Sequence, residues 1–239
     1  MKVTLLIPTL NEEKGCEKIL PLIDKDWVDE IIIIDGQSKD QTVKVCKDMG
    51  FKVLIQKEKG LNASFREAWP YINGDIVITF SPDGNSLAEK IPPLINKMRE
   101  GFDMVIVSRY LEEAKSYDDT LITAFGNWLF TKSINLFHRS KYTDAMVMFR
   151  AYKKNIFYDL ELDNYNKSYK FYEKIFFTKI GVEPLLSIRA AKAKLNISEI
   201  PGDEPPRIGG KAKLQVVRWG LAYYSQVLYE FFFNSIKKK

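Results

Sequence analysis

The chain has 239 residues, which is enough for one large α/β domain or two small ones. Its net charge of +5 suits an anionic small molecule or an anionic membrane surface, but it is too mild for a dedicated nucleic-acid binder, so no nucleic-acid partner is expected. Two cysteines and one histidine argue against a disulfide framework and exclude a histidine-based metal site, and a reducing cytosol is the simple interpretation.

The first half of the chain alternates short apolar runs with stretches of helical spacing. Strands are predicted at residues 3–7, 31–35, 51–55, 75–80 and 102–107, and helices at residues 12–23, 40–49, 60–69 and 87–99. The first strand is unlike a signal peptide, because a positive n-region and a cleavage site are missing. Continuous apolar strands indicate burial on both faces, so the pattern predicts a mostly parallel wound sheet with helices on both faces.

The pattern changes after residue 110. A helix is predicted at residues 120–137, a short strand entering a helix at 143–154, a helix at 180–194 and a strand at 197–200. One side of the first of these helices carries Leu121, Phe125, Trp128 or Leu129, Lys132 and Leu136. A loop rich in proline and glycine and a long aromatic helix at residues 214–236 complete the chain. We expect one domain over residues 1–213 and a C-terminal amphipathic helix over residues 214–239.

Polar segments follow four of the predicted strands at the point where each strand ends. They are PTLNEE (8–13), DGQSKDQT (35–42), SPDGNS (81–86) and SRY (108–110). In parallel wound sheets the ligand binds beyond the carboxyl ends of the strands, so all four segments belong to one edge. Three of them carry carboxylates and the fourth carries Arg109, which makes this edge the candidate site.

Seven motifs stand in an order that resembles the inverting nucleotide-sugar glycosyltransferases of family two. They are IPTLNEE (7–13), IIIIDGQSKDQT (31–42), KGLNASFREA (59–68), FSPDGNS (80–86), VSRY (107–110), TDAMVMFRAYKK (143–154) and EIPGDEPPRIGGKAKL (199–214). The chain is most similar to the dolichol-phosphate mannosyltransferase and polyprenyl-phosphate glycosyltransferase branch. The resemblance implies an α/β fold of the GT-A (nucleotide-diphospho-sugar transferase) type, a UDP- or GDP-sugar donor, Mg²⁺ or Mn²⁺ as cofactor, and a polyprenyl-phosphate-like lipid acceptor.

The resemblance also assigns roles to individual residues. The implied nucleotide-binding residues are Pro8, Thr9, Asn11, Glu12, Asp35, Ser38, Asn62, Pro82 and Asp83. The implied metal ligands are Asp83 and Asn85, and one carboxylate is enough for Mg²⁺ if the donor's phosphates supply further oxygens. The implied phosphate contacts are Arg207 and Lys213, since cationic side chains match phosphate in charge. The implied catalytic residues are Asp144, Arg207 and Arg109.

The chain departs from the family pattern at three motifs. Ser81 stands in place of the first carboxylate of D-x-D, Gly36 follows Asp35 where a second acid is usual, and residues 147–150 read VMFR instead of SGFR. These changes leave the metal affinity and the acceptor open, and SPDGNS is also typical of a plain turn. Asp144 would be a general base for a hydroxyl acceptor, whereas an ionised phosphate acceptor needs none. Transfer to a sugar or protein hydroxyl, and nucleotide binding without catalysis, are the alternatives.

The C-terminal helix bears on location. Its longest uncharged run, between Arg218 and Glu230, is far shorter than the roughly 20 residues that span a bilayer. An aromatic helix tipped with lysines can lie in the membrane interface, and a core helix or a dimer face is the alternative. We therefore expect a cytoplasmic protein in peripheral contact with the cytosolic face of the membrane.

Overall fold

The computed structural model describes residues 1–164, 167–208 and 216–233, and these ranges fold around one seven-stranded sheet. The strands are β1 (Val3–Thr9), β2 (Glu30–Asp35), β3 (Lys52–Ile55), β4 (Ile76–Thr79), β5 (Met104–Ser108), β6 (Arg150–Lys153) and β7 (Ile197–Pro201). Their order is β3-β2-β1-β4-β6-β5-β7, and every neighbouring pair is parallel except the two that involve β6. The mostly parallel sheet predicted from the sequence is confirmed.

Helices cover both faces of this sheet. They are α1 (Glu13–Ile19), α2 (Thr42–Asp48), α3 (Leu61–Ala68), α4 (Ile91–Arg99), α5 (Leu121–His138), α6 (Ile156–Asp159), α7 (Lys167–Phe176), α8 (Glu183–Lys192) and α9 (Val216–Phe232). Helices α1, α2 and α4 pack on one face, and α3 with α5 to α9 pack on the other. In β1 the buried side chains alternate between these layers, with Leu5 and Ile7 on the first and Leu6 on the second.

The segment of residues 143–154 differs from its prediction. The strand β6 begins only at Arg150 and runs antiparallel to β4 and β5. Before it, the Asp144 carboxylate accepts hydrogen bonds from the backbone N–H groups of Met146 (3.2 Å) and Val147 (3.3 Å). These N–H groups are bonded to a side chain and not to a neighbouring strand, so the chain forms a turn here and not an extended strand. Helices α6 and α7 were not predicted.

Helix α9 is part of the domain's packing along one side only. Its buried side includes Ala222, Gln226, Val227 and Glu230, which face α5, α7 and α8. No helix in the described ranges is both long enough and apolar enough to cross a bilayer.

Candidate active site

The carboxyl ends of β1 and β2 and the start of α3 border a cavity of about 540 Å³, a size usual for a small-molecule site. The lining residues are Pro8, Thr9, Leu10, Asn11, Glu12, Gly36, Gln37, Lys39, Gln56, Lys59, Gly60, Leu61, Ser64, Ser81, Met148, Lys179, Gly181 and Trp219. The charged members of this set are Glu12 and three lysines, Lys39, Lys59 and Lys179. Their net positive charge favours an anionic ligand.

Asp35 lies beneath this cavity and orders two of the predicted ligand contacts. It is 1% exposed. Its Oδ2 accepts hydrogen bonds from the hydroxyls of Thr9 (3.1 Å) and Ser38 (2.5 Å), and its Oδ1 accepts from the Ser38 N–H (2.8 Å). The Ser38 hydroxyl in turn accepts from the Asn11 N–H at 2.8 Å. Asp35 therefore fixes the ends of β1 and β2 against each other, and its own oxygens are occupied.

The loop after β4 carries a carboxylate, Asp83, and an amide oxygen, Asn85 Oδ1, which are types of ligand that suit a divalent cation. Asp83 is 6% exposed, and its Oδ1 accepts from the Asn85 N–H at 3.1 Å. The Oδ1 of Asn85 is buried and accepts no hydrogen bond from a described residue, while its Nδ2 donates to Asp118 at 2.9 Å. No group of three or more His, Cys, Asp or Glu side chains in the described ranges is placed to hold a metal. A cation here would thus depend on oxygens from a bound phosphate, as Mg²⁺ commonly does.

The segment after β7 lies directly on this loop. Arg207 Nη1 is 2.8 Å from Asp83 Oδ2 and 3.9 Å from Glu12 Oε1, and Glu12 lines the cavity. The Ile208 N–H donates to the Asp83 carbonyl at 2.7 Å. Gly84 permits this contact, because its φ is +96° and a Cβ there would stand 2.7 Å from Ile208 Cγ1. The Nε of Arg207 is buried and donates to no described residue, so it is available to an anion.

A buried ion-pair network lies at the ends of β5 and β7. Arg109 donates through Nε to Asp144 Oδ2 (2.6 Å) and through Nη2 to Asp144 Oδ1 (3.0 Å). Its Nη1 donates to both carboxylate oxygens of Glu204 at 3.1 Å. Glu204 also accepts a hydrogen bond from the Ser116 hydroxyl. The network holds the segment before Arg207 against the loop that follows β5.

Asp144 is fully buried and remains ionised in this network. Burial alone would raise the pKa of its carboxyl group, but the charge and hydrogen bonds of Arg109 hold that pKa below its usual range. Both of its oxygens already accept hydrogen bonds from Arg109. A carboxylate with a lowered pKa and occupied oxygens is a poor general base, so this arrangement favours a positioning role for Asp144 and Arg109.

The structure brings most of the predicted site residues to one rim. Pro8, Thr9, Asn11 and Glu12 line the cavity, and Asp83, Asn85 and Arg207 adjoin it through Glu12. Asp35 and Ser38 do not line the cavity but hydrogen-bond Thr9 and Asn11, which do. Arg109 and Asp144 belong to the ion-pair network, and three further predicted residues lie elsewhere. Asn62 lines a neighbouring cavity of about 130 Å³, which shares Lys59 and Lys179 with the larger one. Pro82 meets α1 through its backbone at Gly15, where a Cβ would stand 2.3 Å from its carbonyl oxygen. Lys213 lies outside the described residues.

Sequence reasoning missed several residues at this rim, and four of them show why. Lys59 is the first residue of the KGLNASFREA motif, and a basic residue just before a helix could have been predicted as a ligand contact. Glu204 belongs to the same loop motif as Arg207, and only the cation was selected from it. Lys179 and Trp219 lie in segments with no local motif, and only the packing of α7, α8 and α9 brings them to the cavity.

The sequence of residues 4–161 matches the profile described as Glycosyl transferase family 2. Among curated proteins, the chain is 23% identical over 87% of its length to glycosyltransferase AglJ of Haloferax volcanii, covering 64% of that protein. It is 31% identical over 48% of its length to dolichol-phosphate mannosyltransferase of Pyrococcus furiosus, covering only 35% of it. It is 24% identical over 92% of its length to dolichyl-phosphate hexose transferase of Haloferax volcanii, covering 90% of it.

Among solved structures, the chain is similar to glucosyl-3-phosphoglycerate synthase from Mycobacterium tuberculosis. The complex with phosphoglyceric acid superimposes with a TM-score of 0.65 at 16% identity, over 98% of this chain and 81% of that one. The complex with Mn²⁺ and UDP-glucose gives a TM-score of 0.62 at 16% identity, over 96% of this chain and 78% of that one. This likeness confirms the predicted GT-A-like α/β fold. With a family match over most of its length, the chain belongs to glycosyltransferase family 2.

Proposed function

We propose that this glycosyltransferase moves a sugar from a UDP- or GDP-sugar to the phosphate of a polyprenyl-type lipid, with inversion at the anomeric carbon and with Mg²⁺ or Mn²⁺ bound. The observation that carries the proposal is the position of the Asp83–Arg207 pair beside the lysine-lined cavity. A nucleoside diphosphate needs a pocket for its base and ribose and cations for its two phosphates, and this rim offers both.

The donor would lie along the ends of β1 and β2. Thr9 and Asn11 line the cavity, and the Asp35–Ser38 hydrogen bonds hold them in place, so the nucleoside end belongs here. The diphosphate then extends toward Asp83, with Lys39 and Lys59 beside it. The mycobacterial neighbour crystallised with Mn²⁺ and UDP-glucose supports a donor of this class, and its low identity leaves the base open.

The residues present fit a divalent cation. Asp83 Oδ2 and Asn85 Oδ1, which accepts no hydrogen bond from the described residues, would hold it, together with oxygens of the donor's phosphates. When bound, the cation supplies stabilisation of the negative charge that develops on the leaving diphosphate. Arg207 would supply a second positive charge to the same oxygens through its Nε, which donates to no residue that the structure describes.

The acceptor is proposed from the relatives and from the state of Asp144. Relatives are named for dolichol phosphate, dolichyl phosphate and undecaprenyl phosphate. An oxygen of the acceptor phosphate would attack the anomeric carbon, and the bond to the donor diphosphate would break with its electron pair leaving on the nucleotide. No proton must be removed, because a phosphate monoester is largely ionised at pH 7. The occupied oxygens of Asp144 agree with a reaction that uses no base.

We further propose that residues 1–213 carry the catalytic activity. The proposed location is the cytosolic face of the membrane, where the enzyme would meet a lipid-linked acceptor.

A transfer assay tests the function. Radiolabelled UDP- and GDP-sugars are incubated with a short-chain prenyl phosphate and Mg²⁺ or Mn²⁺, with chelator as control. We expect at least one donor to give a prenyl-phosphate-linked sugar whose anomeric configuration is inverted relative to the donor. Transfer only to a sugar or peptide hydroxyl, or transfer unaffected by chelator, would contradict the proposal.

A further inference from the structure

Helix α5 turns its predicted apolar side toward solvent. Leu121 is 92% exposed, Phe125 61%, Trp128 55% and Leu136 77%, whereas Ile134 is fully buried in the core. Single exposed apolar residues are ordinary on protein surfaces, but a row along one whole helix marks an interaction surface.

Helix α9 continues this surface beside α5. Phe137 of α5 stacks on Phe231 of α9, with ring centroids 4.4 Å apart. The outer side of α9 exposes Val217 (69%), Leu221 (52%) and Phe232 (65%). The apolar surface therefore extends over two neighbouring helices.

Helix α7 packs against α9 and adds to the same layer. The rings of Tyr169 and Tyr229 meet edge to face at 5.7 Å. The exposed side of α7 carries Phe171, which is 61% exposed, and Ile175, which is 49% exposed. Three helices thus present apolar side chains that the described part of the chain does not cover.

The charges on these three helices have one sign at the surface. Their exposed charged residues are Lys132 of α5, Lys170 and Lys174 of α7, and Arg218 of α9. The acids of the same helices are buried and paired: Glu173 is 7% exposed and bonds Lys179 at 2.9 Å, and Glu230 is 0% exposed and bonds Arg189 at 2.9 Å. Apolar and aromatic groups with only basic charges among them complement an anionic lipid surface.

We infer that this face docks on a bilayer surface that carries anionic headgroups. The α5–α7–α9 face is defined by Leu121, Phe125 and Trp128 of α5, Phe171 of α7, and Leu221 and Phe232 of α9. Its aromatic and aliphatic side chains enter the interface while the basic side chains contact headgroups. The face adjoins the site, since Trp219 of α9 lines the cavity and the connection of residues 109–120, which begins at Arg109, leads into α5. Given the proposed function, docking brings the acceptor's phosphate to the site.

Vesicle flotation tests the docking without any activity assay. The full chain is mixed with phosphatidylcholine vesicles, with or without phosphatidylglycerol. We expect binding to the anionic vesicles, and Phe125→Ser/Trp128→Ser should lower that binding at least about tenfold. The matched control is Leu22→Ser/Tyr71→Ser, which removes two apolar side chains of similar exposure (61% and 52%) from elsewhere on the surface. This control should bind like the wild type.

A charge-reversal pair tests the electrostatic part. Lys170→Glu/Lys174→Glu should reduce binding to anionic vesicles about tenfold or more, and Lys44→Glu/Lys47→Glu, on the exposed surface of α2 across the sheet, should leave it unchanged. Equal binding by the apolar variant and the wild type would overturn the inference. So would a wild type that ignores anionic vesicles, or a dimer by light scattering that Phe125→Ser/Trp128→Ser dissolves.

A second readout separates this inference from the proposed function. Transfer to a water-soluble short-chain prenyl phosphate should persist in Phe125→Ser/Trp128→Ser, whereas transfer to a long-chain acceptor in vesicles should fall at least about tenfold. If the wild type transfers to no prenyl phosphate, the proposed function fails, and flotation still decides the docking. If transfer succeeds but flotation is insensitive to the variants, only the docking fails.

Discussion

Arg207 Nη1 lies 2.8 Å from Asp83 Oδ2, and this ion pair joins the segment after β7 to the loop after β4. Both side chains are largely shielded from solvent, with 26% of the Arg207 side chain and 9% of the Asp83 side chain exposed. The pair brings a guanidinium and a carboxylate to the point where the lysine-lined cavity ends at Glu12. The carboxylate suits a metal cation and the guanidinium suits a pyrophosphate, so together they suit a metal-bound nucleoside diphosphate.

Arg207→Ala tests the guanidinium's role toward the leaving diphosphate. We expect kcat/KM for the nucleotide sugar to fall on the order of 10²-fold, because charge-assisted hydrogen bonds to developing charge are lost. Arg207→Lys should recover only part of the rate, since an ammonium lacks the planar donor pair. The control is Arg99→Ala, at an exposed arginine that ends α4. If steady-state kinetics showed an unchanged kcat/KM in Arg207→Ala, the proposed role of Arg207 in the site would be contradicted.

Gly84→Ala tests the contact between the loop after β4 and Ile208. An added Cβ would meet Ile208 Cγ1 at 2.7 Å, and the φ of +96° costs about 1 kcal/mol for a non-glycine residue. Gly101→Ala is the matched control, because Gly101 has a φ of +100° and nothing within 4 Å of its Cβ position. We expect Gly84→Ala to lose at least as much stability in urea as Gly101→Ala, and only Gly84→Ala to weaken nucleotide binding in titration calorimetry. Equal binding by the two variants would contradict a functional role for the contact.

Asp144→Asn distinguishes a positioning carboxylate from a general base. Removing its charge leaves Arg109 buried without its principal partner, so we expect a loss of about 3–5 kcal/mol in the free energy of unfolding. Urea unfolding measures this loss. If Asp144→Asn kept its stability but lost kcat completely, the general-base role would be restored and a hydroxyl acceptor favoured.

His138 predicts a pH dependence of stability. Burial lowers the pKa of its imidazole to about 4, with Lys192 and Lys194 adding to the effect and Glu230 opposing it. The unfolded chain takes up this proton near pH 6.5, so the contribution of neutral His138 is complete above pH 6.5 and is lost as the pH falls toward 4.

Urea unfolding of the wild type and of His138→Phe measures this term. Between pH 7 and pH 5 the wild type should lose roughly 2 kcal/mol more of its free energy of unfolding than the variant does. The comparison is needed because burial also raises the pKa of the Glu183 and Glu199 carboxyl groups. Parallel losses in the two proteins would show that His138 is not the titrating group.

The sheet and its rim followed from the sequence because they depend on local patterns. The apolar run of β2 has to be buried on both faces, and β1, α1 and β2 alternate in the way that gives parallel pairing. Once the sheet is parallel, topology alone places Thr9, Asp35 and Asp83 at one edge. This is why the rim was predicted without any side-chain contact.

Other features depend on packing that a sequence pattern does not contain. The spacing of Leu121, Phe125 and Trp128 identified one side of α5 but not the direction that it faces, and the structure turns it outward. Arg109 was predicted as a catalytic residue, yet Asp144 and Glu204 occupy its guanidinium. Such pairs join positions far apart in the chain and become visible only in the fold.

Metal-dependent nucleotide binding tests the central claim most directly. UDP and GDP are titrated by calorimetry into the wild type, Asp83→Asn and Asp75→Asn, each with Mn²⁺ and with chelator. Asp75 precedes β4 at the opposite end of the strand, where its carboxylate accepts from the Lys2 N–H at 2.8 Å. We predict that Mn²⁺ strengthens binding at least about tenfold in the wild type and in Asp75→Asn, and not in Asp83→Asn. Binding of equal strength without metal, or an Asp83→Asn variant that responds to Mn²⁺ like the wild type, would contradict the account.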